Sequence, residues 1–175
     1  MEVTIRRART IDVPAIRRLI DAYSSDRRLL SKATVAIYED IQEFWVAQLV
    51  NAPFDRAPAE DVVGCGAVHV MWEDLAEVRT VAVDPRYRGR KVGQKLVDAL
   101  LAEARHLGIR RVFVLTFEIG FFSSFGFAPI DDGAPVRADV YEQLLRSTDE
   151  GVAEFLALER VKPNTLGNTR MLLHL

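Results

Sequence analysis

Cysteine is nearly absent. Cys65 is the one thiol in 175 residues, so an intramolecular disulfide and a cysteine-rich zinc site are both excluded. Histidine is scarce too. His69, His106 and His174 share no ligand spacing, and no metal is assigned. An excess of one charge is also lacking: Lys and Arg number 23 against 25 Asp and Glu, a net charge of -2, which gives no reason to expect a nucleic-acid partner. No apolar run approaches the ~18 residues of a membrane span. The opening "MEVTIRRART" has no apolar signal core. The expectation is a cytoplasmic protein with no membrane partner. Two phosphate-binding motifs are missing as well. A Walker loop sets four residues between its glycines, but Gly89 and Gly93 enclose three and Gln94 follows. The dinucleotide pattern G-x-G-x-x-G is absent.

What remains is an ordinary globular chain, 49% hydrophobic and 27% charged, long enough for one core. Residues 1–175 are expected to form a single domain. "EVTIRRAR" (2–9) reads as an edge strand. "TIDVPAIRRLIDAY" (10–23) reads as a helix, capped by Thr10 or Asp12, with Ile16, Leu19, Ile20 and Tyr23 on one face. A loop and a second helix follow within 27–41, then a strand at "FWVAQLV" (44–50) and a two-proline loop at 51–61. "VVGCGAVHVMW" (62–72) and "EVRTVAV" (77–83) read as a hairpin. Val92, Leu96, Val97, Leu100, Leu101, Ala104 and Leu107 share a helix face, and Gly108 stops that helix. "RVFVLTF" (111–117) is a buried strand, which makes 77–117 a β-α-β unit with a parallel pair. An aromatic helix and turn (120–127), a strand at "APID", a helix over 138–147 and a final strand at 169–175 complete a mixed α/β order.

The turn "DPRYRGRKVGQ" joins the hairpin to the long helix. A helix start offers unpaired N–H groups and partial positive charge, glycines admit close approach, and arginines add charge. The physical reading is a phosphate or pyrophosphate cradle, against a solvated basic loop. Arg88-Gly89-Arg90-Lys91-Val92-Gly93 resembles the Q/R-x-x-G-x-G/A motif of the GCN5-related N-acetyltransferase (GNAT) superfamily. "VRTVAVDPRYRG" is similar to that family's fourth strand and its exit, and "FFSSFGF" to its later aromatic element. The resemblance implies the GNAT fold: a central mixed, mostly antiparallel sheet with a splayed parallel pair and flanking helices. It implies acetyl-CoA as co-substrate. The amides of Arg88, Gly89, Arg90, Lys91, Val92, Gly93 and Gln94 would hold its pyrophosphate. The main chain of Val81, Ala82 and Val83 would pair with the pantetheine arm, and Phe122 would pack near it. One position departs from the pattern. Its middle glycine is Lys91, for which a left-handed backbone carries a cost.

Beyond that core, "YEDIQEFWVA" and "GVAEFLALERVKPNTLGNTRMLL" resemble the short N-acetylglutamate synthases, which begin arginine biosynthesis. The implied activity is acetyl transfer to the α-amine of glutamate or glutamine. A GNAT enzyme for another amine or a protein N-terminus, or a non-catalytic acetyl-CoA sensor, stays open, as does a homodimer. Glu77 is the preferred general base, against a salt bridge to Arg79; Glu118 is its rival. A backbone N–H near Val81 is the expected oxyanion donor. Phe121 and Phe122 stand where many members carry a tyrosine acid, so no acid is assigned. Two substrate carboxylates ask for several donors. Lys32, Arg79, Lys162, Asn168, Thr169 and Arg170 are the candidates. Cys65 is either an acetyl carrier or, with no base placed beside it, a small buried residue.

Overall fold

The computed structural model describes residues 2–24, 32–50, 61–131, 133–162 and 167–175. Two compact units divide the chain: residues 1–69 with 78–106, and residues 70–77 with 107–175.

In the first unit, β1 (Val3–Arg7) pairs antiparallel with β2 (Phe44–Leu49), and β2 with β3 (Val62–Trp72), whose first eight residues belong here. A register shift leaves Val63 as an extra residue between the pairs Gln48↔Val62 and Ala47↔Gly64. α1 (Val13–Ser24) follows a short 3-10 turn in which Asp12 accepts from the Arg9 N–H and both Arg6 guanidinium nitrogens. Its apolar face (Val13, Ile16, Leu19, Ile20) packs with Phe44, Val46, Cys65 and Ala67. α2 (Thr34–Glu39) adds Ile37 to that cluster. α3 (Val92–His106) sends Val92 and Leu96 into a second cluster with Val3, Ala47 and Val63. Each such side chain contributes roughly 1.5–3 kcal/mol when fully buried.

The "GCG" of β3 explains how α3 sits so close. A Cβ on Gly64 would lie 2.8 Å from Leu96 Cδ1, and one on Gly66 2.8 Å from Leu100 Cδ1. The two glycines face α3 one helical turn apart, and Cys65 between them faces the α1 cluster.

The second unit holds the end of β3 and the start of β4 (Leu75–Val83). β4 runs parallel to β5 (Arg111–Thr116) over Leu75–Glu77 against Arg111–Phe113. β5 pairs antiparallel with β7 (Thr169–His174) along its whole length, and β7 with β6 (Ala128–Pro129). The seven strands thus form the mixed, mostly antiparallel sheet with a parallel pair that the sequence predicts. α4 (Ile119–Ser123), α5 (Ala138–Leu144) and α6 (Glu150–Phe155) complete the unit. Its core joins Leu75, Phe113, Leu144, Val152, Phe155 and Leu172, with Phe113 and Phe155 edge to face at 5.3 Å.

Some expected boundaries shift. β4 starts two residues early, and α5 stops at Leu144 rather than 147. The 10–23 helix opens as a 3-10 turn. α6 is a helix that apolar spacing does not announce, because it is short; its sequence signal is Asp149, whose carboxylate accepts from Val152 N–H at 3.0 Å. The two-proline loop lies outside the described residues except for Asp61, as does 27–31 of the predicted loop before α2.

Candidate functional site

The first unit carries the basic turn. Asp84 ends β4 with its N–H donating to the Val63 carbonyl at 2.9 Å. Its carboxylate caps the 3-10 turn Pro85–Tyr87, accepting from Arg86 N–H at 3.0 Å and from the Arg86 guanidinium at 2.7 Å. That guanidinium bond is the main reason its carboxyl is held below the usual carboxylate range, against the pull of burial. The turn is therefore fixed from beneath.

The chain then passes through two left-handed residues, Gly89 (φ 73°) and Lys91 (φ 62°). Lys91, where the pattern has glycine, is itself left-handed and bears the cost of that conformation, about 1–2 kcal/mol. A Cβ on Gly89 would meet nothing within 4 Å, so that glycine serves conformation and leaves open space above the loop. Lys91 C=O accepts the first helical bond, from Lys95 N–H at 3.1 Å. The first-turn amides of Val92, Gly93 and Gln94 have no intrahelical acceptor. Arg88, Arg90 and Lys91 are exposed around them. Aromatic rings steady three arginines: Arg88 lies 5.3 Å from the Tyr23 centroid, and Arg86 and Arg90 each 5.9 Å from that of Tyr87. A left-handed loop, a helix start and ringed guanidinia suit a bulky polyanion.

Upstream, Val81 and Val83 are half-buried and Ala82 is buried. Thr80 is left-handed within β4, with φ 58°, and the Val83 carbonyl accepts from the Tyr23 hydroxyl. Cys65 settles as the small buried residue. It is fully buried, its Sγ lies 3.6 Å from the Thr80 carbonyl, and burial pushes its thiol up to about 12. A thiol so buried offers no surface to an acetyl donor. Lys32 is paired with Asp40 at 3.6 Å. Arg79 is half-buried.

The second unit holds the remaining predicted residues. Glu77 is 5% exposed. Its carboxylate rests against Gly151 in the first turn of α6, where a Cβ would lie 2.0 Å from Oε2. Glu118 is exposed at the N-terminus of α4, its N–H donating to Thr116 Oγ1 at 2.8 Å. Thr169 is the β7 partner of Thr116, so Glu118, Asn168 and Thr169 gather at one end of the β5–β7 pair. Phe122 is buried, edge to face with Phe121 and Phe127 at 5.1 and 5.4 Å. Lys162 is exposed and bonded to Glu159 three residues back. Arg170 is committed elsewhere. Its guanidinium donates to the carbonyls of Glu154 (3.0 Å), Asp131 (3.1 Å), Gly133 (2.9 Å) and Phe155, clamping the end of α6 to Asp131 and Gly133. Two residues that the sequence reading did not single out, Tyr23 and Gly151, touch groups that it did. Tyr23 occupies a core position by spacing, and the signal for more was the polar tip of the ring. Among the described residues no group of three or more His, Cys, Asp or Glu could hold a metal, and no helix is long and apolar enough to cross a membrane.

The sheet with its parallel pair, followed by a basic, left-handed turn into α3, is the arrangement of an acetyl-CoA-dependent transferase. The model of the acetyltransferase (GNAT) family matches residues 16–127, and the chain belongs to that family. It is 54% identical over 169 residues to an amino-acid acetyltransferase of Mycobacterium tuberculosis, covering 97% of this chain and 92% of that protein. A crystal structure of a Mycobacterium tuberculosis protein in complex with CoA matches with TM-score 0.90 and 54% identity, over 98% of this chain and 99% of that one. An N-acetylglutamate synthase from Neisseria gonorrhoeae, complexed with coenzyme A and N-acetyl-glutamate, shares the fold at TM-score 0.74 and 21% identity; the whole of this chain spans 35% of that one.

Proposed function

We propose that this protein is an amino-acid N-acetyltransferase that moves the acetyl group of acetyl-CoA to the α-amine of glutamate or glutamine. The observation that carries the reading is the turn from Arg88 to Gln94, where left-handed Gly89 and Lys91 lead into the first turn of α3. The name of the Mycobacterium tuberculosis relative, shared over nearly the full length, supports an amino acid as acceptor.

In this reading the amides of 88–94 bind the pyrophosphate and the β4 main chain at Val81–Val83 pairs with the pantetheine arm. The acceptor ammonium loses a proton, the amine attacks the thioester carbon, and the carbon–sulfur bond breaks. Glu77 receives the proton through a water, since at 5% exposure its carboxylate offers little surface to an amine directly. The departing thiolate needs little help from an acid, its free pKa being ~8.5. The candidate donors for the acceptor's carboxylates are Arg79 and, on releasing Asp40, Lys32 in the first unit, and Asn168 and Thr169 in the second. Lys162 is a surface partner of Glu159 and is a weaker candidate.

The experiment is thiol release from acetyl-CoA with glutamate, glutamine, lysine and a peptide N-terminus as acceptors. Turnover with glutamate or glutamine and little with lysine supports the reading. Equal rates with lysine point to another amine, and binding without turnover to a sensor. Glu77→Gln should slow turnover by roughly 10²–10⁴; if Glu118→Gln does so instead, Glu118 is the base.

A further inference from the structure

The Tyr23 hydroxyl reaches 60 residues along the chain to donate to the carbonyl of Val83. The edge of β4 on which that carbonyl lies follows from the strand geometry. Asp84 N–H donates to Val63 on β3. Backbone polar groups alternate edges along a strand, so those of Val83 face away from β3. That is the edge along which an added strand-like ligand pairs. The same tyrosine ring lies beneath Arg88, with the guanidinium 5.3 Å from its centroid and Nε 3.4 Å from the hydroxyl. One side chain therefore touches both the main chain assigned to the pantetheine arm and the first arginine assigned to the pyrophosphate.

We propose that Tyr23 is a displaceable cap on the Val83 carbonyl. In the free protein its hydroxyl satisfies that acceptor. When acetyl-CoA binds, an amide N–H of the pantetheine arm takes the carbonyl and the hydroxyl turns out of the way. Tyr23 then sets cofactor affinity by competition. The inference deepens the acetyl-CoA reading above and rests on it. Its chemistry is an exchange of hydrogen bonds with no covalent step. A net hydrogen bond is modest in water-exposed surroundings, so the competition is worth about 2- to 10-fold in affinity.

Tyr23→Phe removes the hydroxyl from the Val83 carbonyl and from Arg88 Nε, while the ring under Arg88 and its packing on the α1 cluster are kept. Calorimetry compares wild type and variant with two probes: acetyl-CoA, and adenosine 3′,5′-bisphosphate, which carries no pantetheine. The expected result is acetyl-CoA binding about 2- to 10-fold tighter in the variant, with unchanged affinity for the bisphosphate. Unchanged or weaker acetyl-CoA binding, or equal tightening for both probes, overturns the cap. If wild type binds neither probe, the acetyl-CoA reading itself has failed, a different outcome. Should the variant not fold, carbon-13 NMR of ring-labelled tyrosine in wild type decides. Acetyl-CoA, and not the bisphosphate, must then move the Tyr23 hydroxyl-carbon signal, identified by a Tyr87→Phe comparison and by its proximity to Arg88. A signal unmoved by saturating acetyl-CoA overturns the proposal.

Discussion

Gly151→Ala is the perturbation whose sign the structure decides. Gly151 lies in the first turn of α6, where an alanine ordinarily gains about 0.5–1 kcal/mol from helix preference. Here the new methyl would sit 2.0 Å from Glu77 Oε2, 2.8 Å from its Cδ and 3.1 Å from Asp149 Oδ1. Contacts below 3.0 Å are not sustained at a Cβ, so the carboxylate or the helix must shift by at least about 1 Å. Glu77 is buried, which makes that shift an overpacking event of about 1–3 kcal/mol. The net expectation is a loss of about 0.5–2 kcal/mol in urea unfolding. In a Glu77→Ala background the obstruction is gone, and Gly151→Ala should stabilise by about 0.5–1 kcal/mol. The coupling between the sites is then about 1–3 kcal/mol. If Gly151→Ala stabilises both backgrounds equally, Glu77 does not rest on α6 and its burial has been misread.

Three further outcomes follow from particular contacts. Arg170→Met removes donors from four carbonyls, one of them the last residue of α6, and should cost about 2–4 kcal/mol by urea unfolding; wild-type stability with a raised glutamate KM would return Arg170 to the substrate. Lys91→Gly relieves about 1–2 kcal/mol of left-handed strain against about 0.5–1 of chain entropy, so the thermal midpoint should rise by about 1–4 °C; a fall would contradict the backbone reading. Cys65 has its thiol raised from 9.0 to about 12 by burial, so the folded state holds a proton that the unfolded state releases. Stability should therefore fall as pH rises from about 9 toward about 12, an effect absent in Cys65→Ala, and the native thiol should resist thiol reagents at pH 8 until urea is added.

Much of this was legible in the chain. Long periodic segments such as Val92–His106 and Arg111–Thr116 appear within a residue or so of where apolar spacing puts them, because burial on one face or both dictates them. The basic turn into α3 was legible because glycine and arginine act locally, through backbone conformation and charge. What spacing could not show is what distant segments do to one another. Gly64 and Gly66 read only as part of a strand, yet they are the floor on which Leu96 and Leu100 sit. Arg170 looked like a free cation, and only the fold brings four carbonyls to it. Glu77 read as a general base or as a partner of Arg79, and spacing gave no sign of the six-residue helix from the far end of the sequence that lies against it.

The most direct measurement follows the acetyl group itself. The protein is incubated with acetyl-CoA carrying carbon-13 at the acetyl carbonyl and with glutamate carrying nitrogen-15, and the product is read by NMR. A one-bond coupling between the labelled carbonyl and the labelled α-nitrogen is the predicted result, and it should vanish in Gly93→Asp, which sets a carboxylate against the phosphates. Label that stays on CoA, or emerges as free acetate with glutamate untouched, would contradict the account.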